Sequence, residues 1–415
     1  MLRNESRPPA VLAARQLQQL QALVEHAQTR VPFYRDLYAA QGIRPGSFRS
    51  MRDLQSLPIV DKQLLRAAGT ALMSLDAPSD TVTINTSGTT GEPFEFRIDR
   101  SYDQWRKAQY LRPYLSTGRR LRDKVLRLSG RPKLHQPWYF GFGLLRELRL
   151  DCAGDPADVL EAWQQFSPDI LQSYPSALRA LAHYCLEHDR PLRPAPRLVY
   201  TDSELLLPDT RALLERAFGI SPIDIFGTFE TDNIAYQCAE RSGYHVTTDS
   251  VALEIVANGK PVPIGQEGEI VVTALRNHTT PIIRYNLGDI GRLSPEPCAC
   301  GRPFPVLSVF TGRSNDLAVL ANGRRCTPQG IFARFNNYAN IVQRYQLRQS
   351  EVGSFEFLFV PAKLFSSSDL ERMMSDLRAT LGDSRIELRQ VDRIASESSG
   401  KFRLFVSQLP VELRR

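Results

Sequence analysis

Three places in the chain carry residues whose types and spacing could do chemistry. The stretch NTSGTTGEP, residues 85–93, sets Thr86, Ser87, Gly88, Thr89, Thr90 and Gly91 ahead of a proline. Hydroxyls and backbone N–H groups, made compact by the two glycines, can wrap phosphate oxygens without a cation. A Gly-x4-Gly-Lys-Ser/Thr nucleotide loop is disfavoured, because Glu92 follows Gly91. Taken alone, the stretch reads equally as a Ser/Thr-rich surface turn. The second place is Lys401, in a loop of small residues and one of only seven Lys against 45 Arg. The third is the set Cys238, His245, Cys298 and Cys300, three soft sulfurs and an imidazole, the number a tetrahedral structural Zn2+ needs. Its alternative is two buried cysteines, a tight turn and a surface histidine.

The elements that must position these groups are those of an ordinary globular protein. A length of 415 residues, 42% hydrophobic and 23% charged, allows two or three domains with substantial cores. The net charge of +7 comes from scattered arginines without interleaved aromatics, which argues against a nucleic-acid partner. No apolar run of signal-peptide or membrane-spanning length is seen, so a cytoplasmic protein with no membrane partner is expected. The six Cys are then reduced thiols or metal ligands.

Residues 11–29 carry Leu and Val at helical spacing, and further helices joined by Pro-marked turns follow. From 155 to 235, helical stretches alternate with short β-branched runs, the pattern of parallel strands in an α/β architecture. Residues 251–275 change to alternating runs with Asn258-Gly259 at a hairpin turn, which predicts antiparallel pairing. From about 313 the order helix, strand, strand, helix, strand predicts a small α+β unit. The expected architecture is therefore α/β, with a large multi-subdomain N-terminal domain over 1–312 and a small mobile α+β C-terminal domain over 313–415.

Five motifs in order resemble those of the adenylate-forming acyl/aryl-CoA ligases. They are the loop at 85–93, IFGTFE at 225–230, RYNLGD at 284–289, GRSND at 312–316 and ESSGKF at 397–402. VPFYRDLY, LPIVDKQLLR, PDILQSYPSALRALA and TTPIIRYNLGDIG are similar to the phenylacetate-CoA ligase branch and its capsule-biosynthesis-type relatives. The resemblance runs from about residue 30 to 402. It implies that the loop holds ATP phosphates, that Phe226, Gly227 and Thr228 line the nucleotide site, and that Glu230 serves Mg2+ and phosphate. It implies further that Asp289 and Arg313 reach the ribose, that Asp202, Ser203 and Glu204 lie where adenine is met, that Asp316 is the hinge, and that Lys401 is the catalytic lysine. Similar Cys/His sets occur in relatives of this branch, which adds to the zinc reading. Two departures stand out: Phe94 occupies the place where the superfamily often has Lys, and Phe229 replaces the Thr before the acidic residue.

The function this implies is ATP-dependent activation of a carboxylic acid, aromatic or compact and apolar, as an acyl-adenylate and its transfer to CoA. A carrier-protein phosphopantetheine or an amine are alternative acceptors, and a degenerate nucleotide-binding protein is the non-enzymatic alternative. Homodimerisation is left open. Tyr174, Pro175, Phe140 and Phe142 are expected around the acid, with a core role for these aromatics as the alternative.

Overall fold

A computed structural model describes all residues except 45, 86–93, 131–135, 312–316, 333–337, 339, 398–399, 411–412 and 414–415. Its contacts group into two compact units, Met1–Gly118 with Ile225–Val309, and Arg119–Asp224 with Phe310–Arg415. The phosphate-loop residues Thr86 to Gly91, and Arg313 and Asp316 at the expected domain boundary, lie outside the described residues.

In the first unit the helix Pro9–Arg30 begins on proline, whose missing N–H costs nothing at a helix start, and buries Leu20, Leu23, Val24 and Ala27 along one stripe. The strands Val82–Asn85 and Glu95–Ile98, which flank the motif at 85–93 in sequence, pair antiparallel. The strands Val251–Ala257 and Lys260–Pro261 pair across Asn258-Gly259, with φ of 51° and 76°. Those two positive angles are what a two-residue hairpin turn demands, and the Asn-Gly expectation is met. Val251–Ala257 also pairs antiparallel with Gly268–Ala274, which pairs in turn with Tyr285–Leu293. Two distant motifs lock together here. The Tyr34 hydroxyl donates to Pro281 O at 3.1 Å and accepts from Ile283 N at 3.1 Å, so VPFY fastens TTPII inside a core that also holds Phe94 and Phe96.

In the second unit four parallel strands lie in the order Glu147–Asp151, Val125–Ser129, Ile170–Ser173, Leu198–Asp202. The helices Pro156–Phe166, Pro175–Glu187 and Pro208–Phe218 each begin on proline and connect or follow them. The parallel α/β expectation is met, and it starts earlier than residue 155. The C-terminal part is a four-stranded sheet in the order Arg385–Gln390, Ser354–Pro361, Val342–Glu351, Phe405–Ser407, with the helix Ser367–Leu381 packed in its core. It is fixed to the parallel part through Arg179, a buried guanidinium that donates to Val342 O at 2.7 Å, Gln343 O at 3.0 Å and Asp209 at 2.9 Å. Among the described residues no helix is long and apolar enough to cross a membrane.

Candidate functional site

In the first unit Glu230 lies in the three-residue connection between the strands Ile223–Thr228 and Asp232–Gln237, which pair from Thr228↔Asp232. A Cβ at Gly227 would run into Asp232 O, so only glycine lets the two strands close there. The far side of the connection is anchored by Asp232, which accepts from Arg106 at 2.6 Å and from the Tyr102 hydroxyl at 2.9 Å. Thr228 and Thr231 hydroxyls meet at 2.9 Å. Phe226 and Thr228 are half-buried on the strand, and Phe229 is exposed.

Glu230 is only 6% exposed and pairs with Lys62 Nζ at 3.2 Å. A carboxylate this enclosed needs a compensating charge. Sequence reasoning missed Lys62. It sits in LPIVDKQLLR, where Val60 bridges Tyr285 and Asp61 caps the helix Lys62–Ala68 by accepting Leu64 N at 2.8 Å. The scarcity of lysine was the available signal. Phe94, the residue in the expected lysine's place, is 3% exposed and stacks on Phe96 in the core.

Asp289 lies on the strand Tyr285–Leu293, whose partner pairs Asn286 with Val271 and Ile290 with Glu269. Residues 287–289 thus face one partner residue. This bulge, with Gly288 at φ 77°, lifts Asp289 out of the regular ladder.

In the same unit the ligand atoms of Cys238, His245, Cys298 and Cys300 all lie within 4.8 Å of one another. The Sγ atoms of Cys238 and Cys298 are 3.7 Å apart, and Cys300 Sγ is 3.3 Å from His245 Nε2. A tetrahedron with metal–sulfur bonds of about 2.3 Å has sulfur–sulfur edges of roughly 3.8 Å. The Cys238–Cys298 separation is near that edge, and the three sulfurs are not in disulfides. Strand pairing makes the cluster: His245 faces Val306, and its neighbour Tyr244 faces Gln237, next to Cys238.

In the second unit the four parallel strands end together at Ser129, Asp151, Ser173 and Asp202. The carboxyl edge of such a sheet is where open α/β folds bind ligands. Asp202 accepts from Gln172 at 2.8 Å and from the Ser203 hydroxyl at 2.8 Å, and lies 3.4 Å from Arg127. Tyr174 and Pro175 lead from the third of these strand ends into the helix Pro175–Glu187. Burial, with Asp202 nearby, pushes the Tyr174 phenol up. Phe140 and Phe142 belong to a short 3-10 turn ahead of the strand Glu147–Asp151, with Phe142 72% exposed. Leu145 N donates to Leu121 O just beyond it, which puts the exit of this turn at the amino ends of the strands.

Lys401 comes to the carboxyl edge in a turn where Gly400 N donates to Glu397 O at 2.9 Å and Glu397 N to Lys401 O at 2.8 Å. The next amide, Phe402 N, donates to Glu204 Oε1 at 2.6 Å. Glu204 is partly buried as a residue while its carboxyl is enclosed, and burial pushes its pKa up to about 7 against the pull of its N–H and hydroxyl donors and of Arg344.

Comparison with known proteins gives the fold its class. A crystal structure of 2-hydroxyisobutyryl-CoA ligase in the postadenylation state in complex with 2-HIB-AMP superposes with a TM-score of 0.82 over 98% of this chain and 91% of that one, at 22% identity. The fold is that of the adenylate-forming CoA ligases. Within that class the chain is a relative of phenylacetate-coenzyme A ligases, 27% identical over 396 residues to that of Escherichia coli (strain K12), covering 86% of this chain and 83% of that one. It is also 21% identical over 418 residues to protein CapK of Staphylococcus aureus, covering 95% and 89%, and residues 319–408 match the CapK C-terminal domain family. The resemblance carried by the motifs is borne out.

Proposed function

We propose that the chain is an AMP-forming acid–thiol ligase that activates a carboxylic acid with ATP and transfers the acyl group to coenzyme A. The observation that carries this reading is the seating of the Lys401 turn on the carboxyl edge of the parallel strands, against Glu204, Cys152 and Gly130, in a chain alignable over most of its length with phenylacetate-CoA ligases. In the first step a carboxylate oxygen attacks the α-phosphorus, and the bond to pyrophosphate breaks. The barrier is the approach of anions and the charge growing on the phosphorane. Lys401 supplies a point charge for it. Glu230 and phosphate oxygens, a hard oxygen set, suit Mg2+, which when bound would neutralise phosphate charge. Lys62 holds Glu230 in place and adds a cation beside it.

The second step passes the acyl carbon from the adenylate to the CoA sulfur, releasing AMP. Residues 313–415 act in this reading as a small domain turning about Asp316. Asp289 and Arg313 hold the ribose, and Tyr174 and Pro175 face an aromatic or compact apolar acid. Six reduced cysteines fit a cytoplasmic setting. Acid-dependent pyrophosphate release across a carboxylic-acid panel, with and without CoA, tests the reading. Release that CoA accelerates, with an acyl-CoA seen by mass spectrometry, is expected. Amide formation with CoA ignored would reassign the acceptor, and no release with ATP binding intact would leave a nucleotide-binding protein.

The Cys/His cluster is proposed as a structural Zn2+ site, since four protein donors leave no position open for substrate. About one zinc per chain is expected after purification without added metal, and Cys298→Ser should lose both the metal and thermal stability. Elemental analysis finding a folded, zinc-free protein would end this assignment.

A further inference from the structure

The turn that carries Lys401 lies outside the regular strands, and its contacts across the second unit include two that are specific to it. On one side stands Glu204. Its Oε1 accepts Phe402 N at 2.6 Å and the Ser176 hydroxyl at 3.0 Å, while Oε2 accepts Ser176 N at 3.0 Å. Ser176 is in the first turn of the helix Pro175–Glu187, so one carboxyl joins that helix start to the lysine turn. On the other side are Cys152 and Gly130, just past two strand ends. Gly400 has φ +82°, and a Cβ there would lie 2.5 Å from Cys152 Sγ and 3.2 Å from Gly130 Cα.

The apolar contacts of the turn belong to the C-terminal part itself. Phe402 packs with Leu358 and Ile394, and Arg344 lies 4.0 Å over its ring while donating to Ile394 O and the Ser396 hydroxyl. A departing turn keeps those contacts. What it gives up includes the Phe402 bond to Glu204, the Cys152 Sγ contact with Gly400 O at 3.8 Å, the close approach to Gly130 and, since it leaves with the C-terminal part, the Arg179 bonds to Val342 O and Gln343 O.

We propose that Glu204 is a positioning residue, whose carboxyl seats the Lys401 turn for adenylation through Phe402 N–H and whose release of that amide frees the turn for thioester formation. This rests on the two-step ligase reading.

The test compares the full-length parent with Glu204→Ala, Glu204→Gln and Gly400→Ala by amide hydrogen exchange of a peptide spanning 400–406. It also follows acid-dependent ATP–pyrophosphate exchange and conversion of a supplied acyl-adenylate to acyl-CoA. In Glu204→Ala the Phe402 amide should exchange at least ~10-fold faster, and adenylation should fall at least ~10-fold more than thioester formation does. Glu204→Gln keeps an oxygen acceptor and should restore most of the protection. Gly400→Ala attacks the seat from the Cys152 side and should reproduce the Glu204→Ala pattern. Unchanged Phe402 exchange in Glu204→Ala, or equal loss of both half-reactions, overturns the proposal. A parent inactive with every acid defeats the ligase reading instead, and the exchange measurement still decides the seat.

Discussion

The Glu230 connection and the Lys401 turn each present one charged side chain on a short piece of chain, yet they are held by different means. Glu230 sits between two strands whose ladder closes at Thr228↔Asp232, with Asp232 clamped by Arg106 and Tyr102 from the helix Arg100–Ser116. Moving it would break a sheet and a buried ion pair. Lys401 hangs on a turn whose contacts with the parallel part include the Phe402 amide bond to Glu204, the Cys152 Sγ contact with Gly400 O and a glycine-only fit against Cys152 and Gly130. Moving it breaks these contacts and the Arg179 bonds but leaves the four-stranded C-terminal sheet whole. A group that serves phosphate throughout a reaction belongs on the first kind of support, and a charge wanted for only one of two steps belongs on the second.

The sharpest way to break this comparison is Lys401→Ala. Adenylation should fall on the order of 10³-fold, while a supplied acyl-adenylate is converted to acyl-CoA nearly as fast as by the parent. Equal loss in both assays would leave Lys401 a structural residue. Glu230→Ala should lower pyrophosphate release about 100-fold, close to 3 kcal/mol of lost charge stabilisation, and steady-state kinetics over a Mg2+ titration would show it. A Glu230→Ala enzyme with parental kcat would remove this residue from the phosphate site. Lys62→Met leaves Glu230 enclosed without its partner, so a loss of about 10-fold is expected, smaller because the Lys62 side chain is 31% exposed. If Lys62→Met and Glu230→Ala lose activity additively in the double variant, the two do not act as a pair.

The smallest expected effect concerns pH and the seat. Burial raises the Glu204 pKa to about 7 in the docked pose, against an ordinary value of 4.5 for an exposed glutamate. Its charged and titratable neighbours are Arg344, on the strand Val342–Glu351, and the Cys152 thiol, itself pushed up by burial. Docking therefore takes up a proton. The added preference for the docked pose is complete below pH 4.5 and is lost as pH rises through 7. The exchange protection factor at Phe402 should accordingly fall several-fold from pH 6 to pH 8, and Glu204→Gln should show no such slope. Protection that rises with pH would mean the carboxylate form is the one that grips.

Much of this protein is written in short windows of its sequence. The Asn258-Gly259 hairpin follows from two residues that tolerate positive φ, and the parallel strands follow from β-branched runs alternating with helices. The Cys238, His245, Cys298 and Cys300 set could be named from donor chemistry alone, although the strand pairing that gathers it could not. What no window contained is which distant residue meets which. Lys62 reaches Glu230 because Val60 bridges Tyr285, and Phe94 turns inward because the hairpin Val82–Asn85 with Glu95–Ile98 lays it against Phe96. Glu204 finds Phe402 across 198 positions because the C-terminal sheet docks on Arg179. Local pattern and turn chemistry act over a few residues. Compensation of an enclosed charge and the seating of a loop depend on strand register and packing across the whole fold, and so only the tertiary structure decided them.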